Sequence, residues 1–288
     1  MDMKQTLVIL LFCIPVFASA QAPRLVGTIW AIGNVSFECR ALKDSLFRFD
    51  AARDADVDFE LRLRPDGNLY VLSADDHPGL TVNGVKVLYR EVGDQRCLIF
   101  TNERGDYGDV LRPLPDGKSL EQLMIDDLIG QVLVGTYTDS LTHAQVIIGA
   151  TSVTIPLYQD LPRNVLRFND GKTFYFEVTD SGLDLFEPLA DPTAPGFYGK
   201  GRKITTLIKK SWDFTFASTR IVSQYIMVYF TLNQQRLIRN EIYARHGYRF
   251  KSPDLIAYFS AKPWYVPRYD DVTNQLNGVE RINVMILK

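Results

Sequence analysis

Cysteine and histidine are both scarce in this chain: its 288 residues include three of each. Cys13 lies in an apolar run near the N-terminus, which leaves Cys39 and Cys97, and neither belongs to a C-x-x-C pair. Thiol–disulfide catalysis and a thiolate zinc site are therefore disfavoured. His77, His143 and His246 form no H-E-x-x-H or His-x-His spacing, so neither a metal nor a cofactor is expected. G-x-S-x-G, Walker and dinucleotide fingerprints are also missing. Catalysis would then need a site assembled from distant positions. Asp54, Asp56 and Asp58 alternate as a calcium loop begins, but no glycine follows at the sixth position, and a wet strand edge is the better reading. Asp75-Asp76-His77 ahead of Pro78-Gly79 reads as a turn.

An excess of one charge is lacking too. Lys and Arg number 32 against 34 Asp and Glu, a balance that disfavours nucleic-acid binding. The balance is uneven, however: residues 231–288 hold nine Lys and Arg against five Asp and Glu, a modestly basic tail on an acidic body. Such a tail suits an anionic partner, and a solvated helical face explains it equally well.

Long hydrophobic runs are confined to the start, MDMKQTLVILLFCIPVFASAQ, where Lys4 precedes an apolar stretch from Leu7 to Phe17 and small residues at Ala18 and Ala20. That order is what export machinery reads, so residues 1–20 are expected to be a cleavable signal peptide that leaves Gln21 first. The apolar stretch is well short of the about 20 residues that span a bilayer. Cys13 has no small residues before it, so the exported protein is expected not to be a lipoprotein. No later segment is a transmembrane candidate: IVSQYIMVYF at 221–230 is interrupted by Ser223 and Gln224. An oxidising compartment and an even pair of cysteines predict a disulfide between Cys39 and Cys97, with a chain-entropy gain of at most about 4 kcal/mol. Two unpaired buried thiols are the alternative.

From Leu25 to about Phe230 the pattern has mostly period two. In VDFELRLRPDGNLYVLS, Val57, Phe59, Leu61 and Leu63 alternate with charged residues before Pro65-Asp66-Gly67-Asn68 turns the chain. Asn169-Asp170-Gly171 likewise separates Val165–Phe168 from Thr173–Val178, and both segments are predicted hairpins. Further strands are predicted at 25–31, 35–40, 84–91, 96–101, 131–137 and 144–148. Between them, Ser119 is placed to cap a short helix running toward Gly130. Leu-Val-Gly-Thr occurs at 25–28 and again at 133–136, which suggests two related β units. Residues 187–203, with three prolines and three glycines, are expected to form a long connection.

After Phe230 the period becomes helical. Thr231 and Gln234 form a capping box, the following helix is expected to end at Gly247, and a second helix begins at Ser252-Pro253 and stops before Pro263. A third is expected from about Val272. The predicted fold class is thus α+β: antiparallel β sandwich or barrel units at 21–117 and 130–225, or one domain made of both, then a three-helix module at 226–288.

The stretch RNEIYARHGYRFKSPDLIAYFSAKPWY, followed by LNGVERIN, resembles the YARHG domain, a small module of exported bacterial proteins named for the motif present here as Tyr243-Ala244-Arg245-His246-Gly247. The resemblance covers about a fifth of the chain. It implies an extracytoplasmic location and suggests attachment to the cell wall. Tyr243, Arg245, His246, Arg249, Trp264 and Tyr265 are the candidate binding residues, because aromatic faces beside cations suit sugars that carry carboxylates. In the plainer alternative the aromatics form the module's core, and Arg239, Glu241 and Arg245 pair across helix turns. The expected function is a non-enzymatic, envelope-associated binding protein with a cell-wall or other anionic polymer as partner. One rival is an envelope-polymer hydrolase with a dispersed site in the β body. The other is a lipocalin-like carrier of a small apolar ligand, prompted by Gly27-Thr28-Ile29-Trp30, although lipocalins place Trp two residues after Gly rather than three.

Overall fold

The computed structural model describes residues 24–32, 35–43, 45–53, 58–74, 85–101, 107–158 and 161–287. The expected export leader lies outside them, as do Asp54, Asp56 and the Asp75–His77 turn. The fold is α+β. Eight antiparallel strands close into a barrel: β1 (Ile29–Ile32), β2 (Val35–Lys43), β3 (Leu46–Arg53), β4 (Phe59–Leu63), β5 (Leu69–Ala74), β6 (Lys86–Val92), β7 (Gln95–Thr101) and β8 (Tyr107–Pro113). Each strand pairs with the next, and β1 closes the ring by pairing Trp30 with both Phe37 of β2 and Pro113 of β8.

Period-two alternation sorts the barrel wall into two faces. Trp30, Cys39, Phe49, Leu61, Leu69 and Leu98 meet inside and fill the interior, and the Trp30 indole donates to the Leu25 carbonyl at 3.2 Å. An eight-stranded barrel is just wide enough for such a filling. Cys97 and Ile99 point the other way, into an outer cluster with Leu88, Val110, Ile221 and Ile282. The expected disulfide is therefore corrected: Cys39 and Cys97 are free buried thiols on opposite sides of the wall. Burial pushes both thiols up to about 12, so neither is a nucleophile.

Ser119 caps α1 (Leu120–Asp127), accepting from the Gln122 amide at 3.2 Å. The helix does not stop at Gly130; a π-type turn carries it to Leu133, because Leu128, Val132 and Leu133 are all fully buried. The second sheet consequently starts later than the apolar run at 131–137 implied. It comprises β9 (Gly135–Asp139), β10 (Gln145–Ile148), β11 (Val153–Thr154), β14 (Val165–Phe168), β15 (Thr173–Thr179), β16 (Gly182–Ala190) and β17 (Tyr198–Lys209) in the order β10-β9-β17-β16-β15-β14-β11. A two-stranded ribbon, β12 (Leu157–Tyr158) and β13 (Leu161–Pro162), lies beside it in sequence.

Two expectations are overturned in this half. Residues 187–203 belong largely to a hairpin, with Pro188 opposite Lys200 and Ala190 opposite Tyr198. Register shifts around Phe186 absorb the proline, and Gly201 lets the strands approach: a Cβ there would lie 2.7 Å from the Glu187 carbonyl oxygen. The two Leu-Val-Gly-Thr copies also fail to mark related units. The first precedes a closed barrel strand and the second joins a π-type turn to an open sheet. Four residues are too few to fix topology against the packing around them.

Helices cover the inner face of the second sheet. After β17 come α2 (Phe216–Thr219) and α3 (Gln224–Met227), in a stretch whose apolar alternation reads as strand. Then follow α4 (Leu232–Arg245), α5 (Pro253–Ser260) and α6 (Gly278–Ile286). The last helix starts later than expected because Asn277, not Val272, supplies its capping box with Glu280. Phe176, Leu183 and Leu207 of the sheet join Leu237, Ile242, Phe250 and Phe259 of the helices in one core cluster.

Candidate functional site

The signature motif sits where α4 ends. Thr231 and Gln234 form the capping box at its start, and His246 caps its end before the left-handed Gly247. Glycine is required here twice over: φ is +77°, and a Cβ would lie 2.9 Å from the Val266 carbonyl oxygen. The Gly247 carbonyl accepts from the amides of Arg268 and Tyr269, so the 266–269 segment is pinned against the helix end.

Arg245 looks inward. Its Nε donates to Glu241 at 3.1 Å and its Nη2 to Asp213 at 2.9 Å, while its guanidinium lies 4.6 Å from the Trp264 ring centre. Glu241 is 1 % exposed and also accepts the Phe214 amide at 3.1 Å. Burial raises its carboxyl above the ordinary range and outweighs the opposing Arg245 charge. Burial likewise lowers the nearby Lys209 ammonium to about 8, against the pull of Asp213; its Nζ stands 4.1 Å from the Trp212 ring centre. These charges tie the module to the chain leaving the second sheet.

His246 is similarly committed: its Nε2 meets Glu280 of α6 at 2.8 Å, and Glu280 also accepts the Asn277 amide. The Tyr265 hydroxyl donates to the Tyr248 carbonyl at 2.7 Å, and Tyr243 packs on Tyr248. Phe250 and Phe259 stack beneath Trp264 and Tyr265 with ring centres 4.8 Å apart. Of the six candidates, Tyr243, Arg245, His246 and Tyr265 thus hold the module together. Trp264 and Arg249 remain open, Trp264 being 39 % exposed and Arg249 paired only loosely with Asp270 at 3.3 Å. The structure adds Val266 and Tyr269, 50 % and 45 % exposed, and exposed Arg268. Together they make an aromatic and basic ribbon over residues 263–269. Its signal was present as KPWYVPRY, in which two prolines prevent helix and leave Trp264 and the run from Val266 to Tyr269 exposed.

Sequence reading missed Gln95 and Asn283, which grip the segment between α2 and α3 from both sides. The Gln95 amide donates to the Thr219 carbonyl at 2.9 Å and accepts from the Ile221 amide at 2.8 Å. Asn283, fully buried, donates to the carbonyls of Ala217 and Arg220 and accepts from Val222. No spacing rule links positions more than 60 residues apart.

The remaining histidine of the described residues, His143, lies in an exposed turn. Among the described residues no group of three or more His, Cys, Asp or Glu could hold a metal ion, and no helix is long and apolar enough to cross a membrane. The structure is thus that of an α+β protein with a filled barrel, a helix-covered sheet and an exposed aromatic ribbon. Residues 232–288 match the family model of the YARHG domain, a module typical of exported proteins and one that points to a binding-type role outside the cytoplasm. Neither curated proteins nor solved structures provide a match.

Proposed function

We propose that the protein is an exported, envelope-associated binding protein that holds an anionic extracytoplasmic polymer, such as a cell-wall polymer, against the 263–269 ribbon. The observation that carries this reading is the exposure of Trp264 and Tyr269 beside Arg249 and Arg268 on a rigid aromatic base. Flat aromatic faces contact sugar rings at little entropic cost, and guanidinium groups take carboxylates or phosphates bidentately. The filled barrel interior weighs against a carrier of apolar ligands, and the inward commitment of His246 weighs against a hydrolase that uses it.

Co-sedimentation of the full mature chain with purified cell-wall polymer tests the proposal. Retention at low salt is expected to fall about tenfold in the Trp264→Ala/Tyr269→Ala double variant, the scale of an aromatic contact residue at an interface. Undiminished retention of that variant, or no retention of the wild type, would refute it.

A further inference from the structure

A separate cleft of about 620 Å³ opens where the barrel, α1 and the segment between α2 and α3 meet. Its volume is in the range that takes a small molecule or short peptide. The walls are fixed by groups already spent on structure. Gln95 clamps the 219–221 segment to the barrel, and Arg112 pairs with Asp127 and donates to the Ile221 carbonyl at 3.4 Å. The cleft therefore needs no closure to exist.

Four charged side chains line it without forming an ion pair among the described residues: Arg96 and Arg220 on one count, Asp94 and Asp116 on the other. The Arg96 guanidinium donates to the Arg24 carbonyl at 3.0 Å and lies 5.9 Å from the Trp30 ring centre, two contacts that fix its position at the edge of the cleft. Leu114, Pro115 and Leu123 supply apolar surface in the same cleft. A purely anionic ligand would be repelled by the aspartates and a purely cationic one by the arginines.

We propose that this cleft binds a short zwitterionic peptide, with its carboxylate toward Arg96 and Arg220 and its amine toward Asp94 and Asp116. This is independent of the polymer reading, because the cleft shares no residue with the 263–269 ribbon.

The probe is the tripeptide Ala-Ala-Ala, titrated into the full mature protein and followed by calorimetry, alongside its N-acetylated and C-amidated forms. Saturable binding of the unblocked peptide is expected, weakened about tenfold or more by either block, since a charge-assisted hydrogen bond is removed. Arg220→Ala should weaken the unblocked and N-acetylated peptides alike. Asp116→Asn should weaken the unblocked peptide and leave the N-acetylated one unchanged. Both positions are exposed, and thermal melting confirms that the variants fold. Equal binding of blocked and unblocked peptides, no saturation at millimolar peptide, or indifference to both substitutions would overturn the proposal.

Discussion

Arg245 illustrates how a recognisable motif residue can serve architecture. Its guanidinium pairs with Oε1 of Glu241 and with Asp213 and lies over one face of the Trp264 ring, so it cannot also meet a ligand without abandoning a buried carboxylate. Replacing it leaves the buried Glu241 carboxyl without its cation and with only the Phe214 amide to meet it, and Arg245→Met is expected to cost about 3 kcal/mol at neutral pH. The pH dependence follows from the raised carboxyl of Glu241. Protonation of this group favours the folded state, so its contribution is fully present below the ordinary carboxyl pKa and is lost as pH rises through the folded-state value. Without Arg245 only the Phe214 amide opposes that loss, and the deficit of the variant should be larger at pH 8 than at pH 5. Urea unfolding of both proteins at the two pH values measures it; an equal deficit would refute the assignment. The pairing of Glu241 with Arg245 is legible from their i,i+4 spacing. The contribution of Asp213 is not, because it arrives from a turn 32 residues upstream.

At the scale of elements, α6 decides how the matched domain sits. Its first residue, Gly278, lies so close to the barrel that a Cβ would stand 2.7 Å from a Val92 methyl. At an open helical position Gly→Ala stabilises by about 0.5–1 kcal/mol. Here the sign should reverse, with Gly278→Ala costing about 1–2 kcal/mol through overpacking. Combining it with Val92→Ala should recover about 1 kcal/mol relative to additivity, a coupling that a double-mutant cycle by thermal or urea unfolding reads directly. Additive effects would place α6 elsewhere. The capping residues Thr231 and Ser119 were readable because caps are local chemistry, and α5 starts at Pro253 as expected although the Ser252 hydroxyl donates to the Asp254 carboxylate and caps no amide. The extension of α1 through Gly130 and the pairing of residues 187–190 with 198–200 were not, since burial and strand neighbours overrode local breakers.

For the whole molecule, the central fact is that the core does not respect the family boundary. Residues from 237 to 287 share one cluster with Phe176, Leu183 and Leu207 of the second sheet, while Ile282 packs on Cys97 and Ile99 of the barrel. A fragment of residues 232–288 alone exposes the side of α4 and α6 that these contacts bury, and it is expected to lack cooperative unfolding and to give a collapsed amide proton spectrum. A well-dispersed spectrum from that fragment would show the domain to be self-sufficient. By itself the sequence determined what depends on near neighbours: alternating strand faces, hairpin turns at Asp66-Gly67 and Asp170-Gly171, helix caps and the YARHG motif. Only the tertiary structure decided which face of the barrel each cysteine occupies, which motif residues turn inward, and that a cleft forms at the junction. Each of these depends on groups far apart in the chain, whose meeting is set by burial and closure of the sheet rather than by local conformational preference.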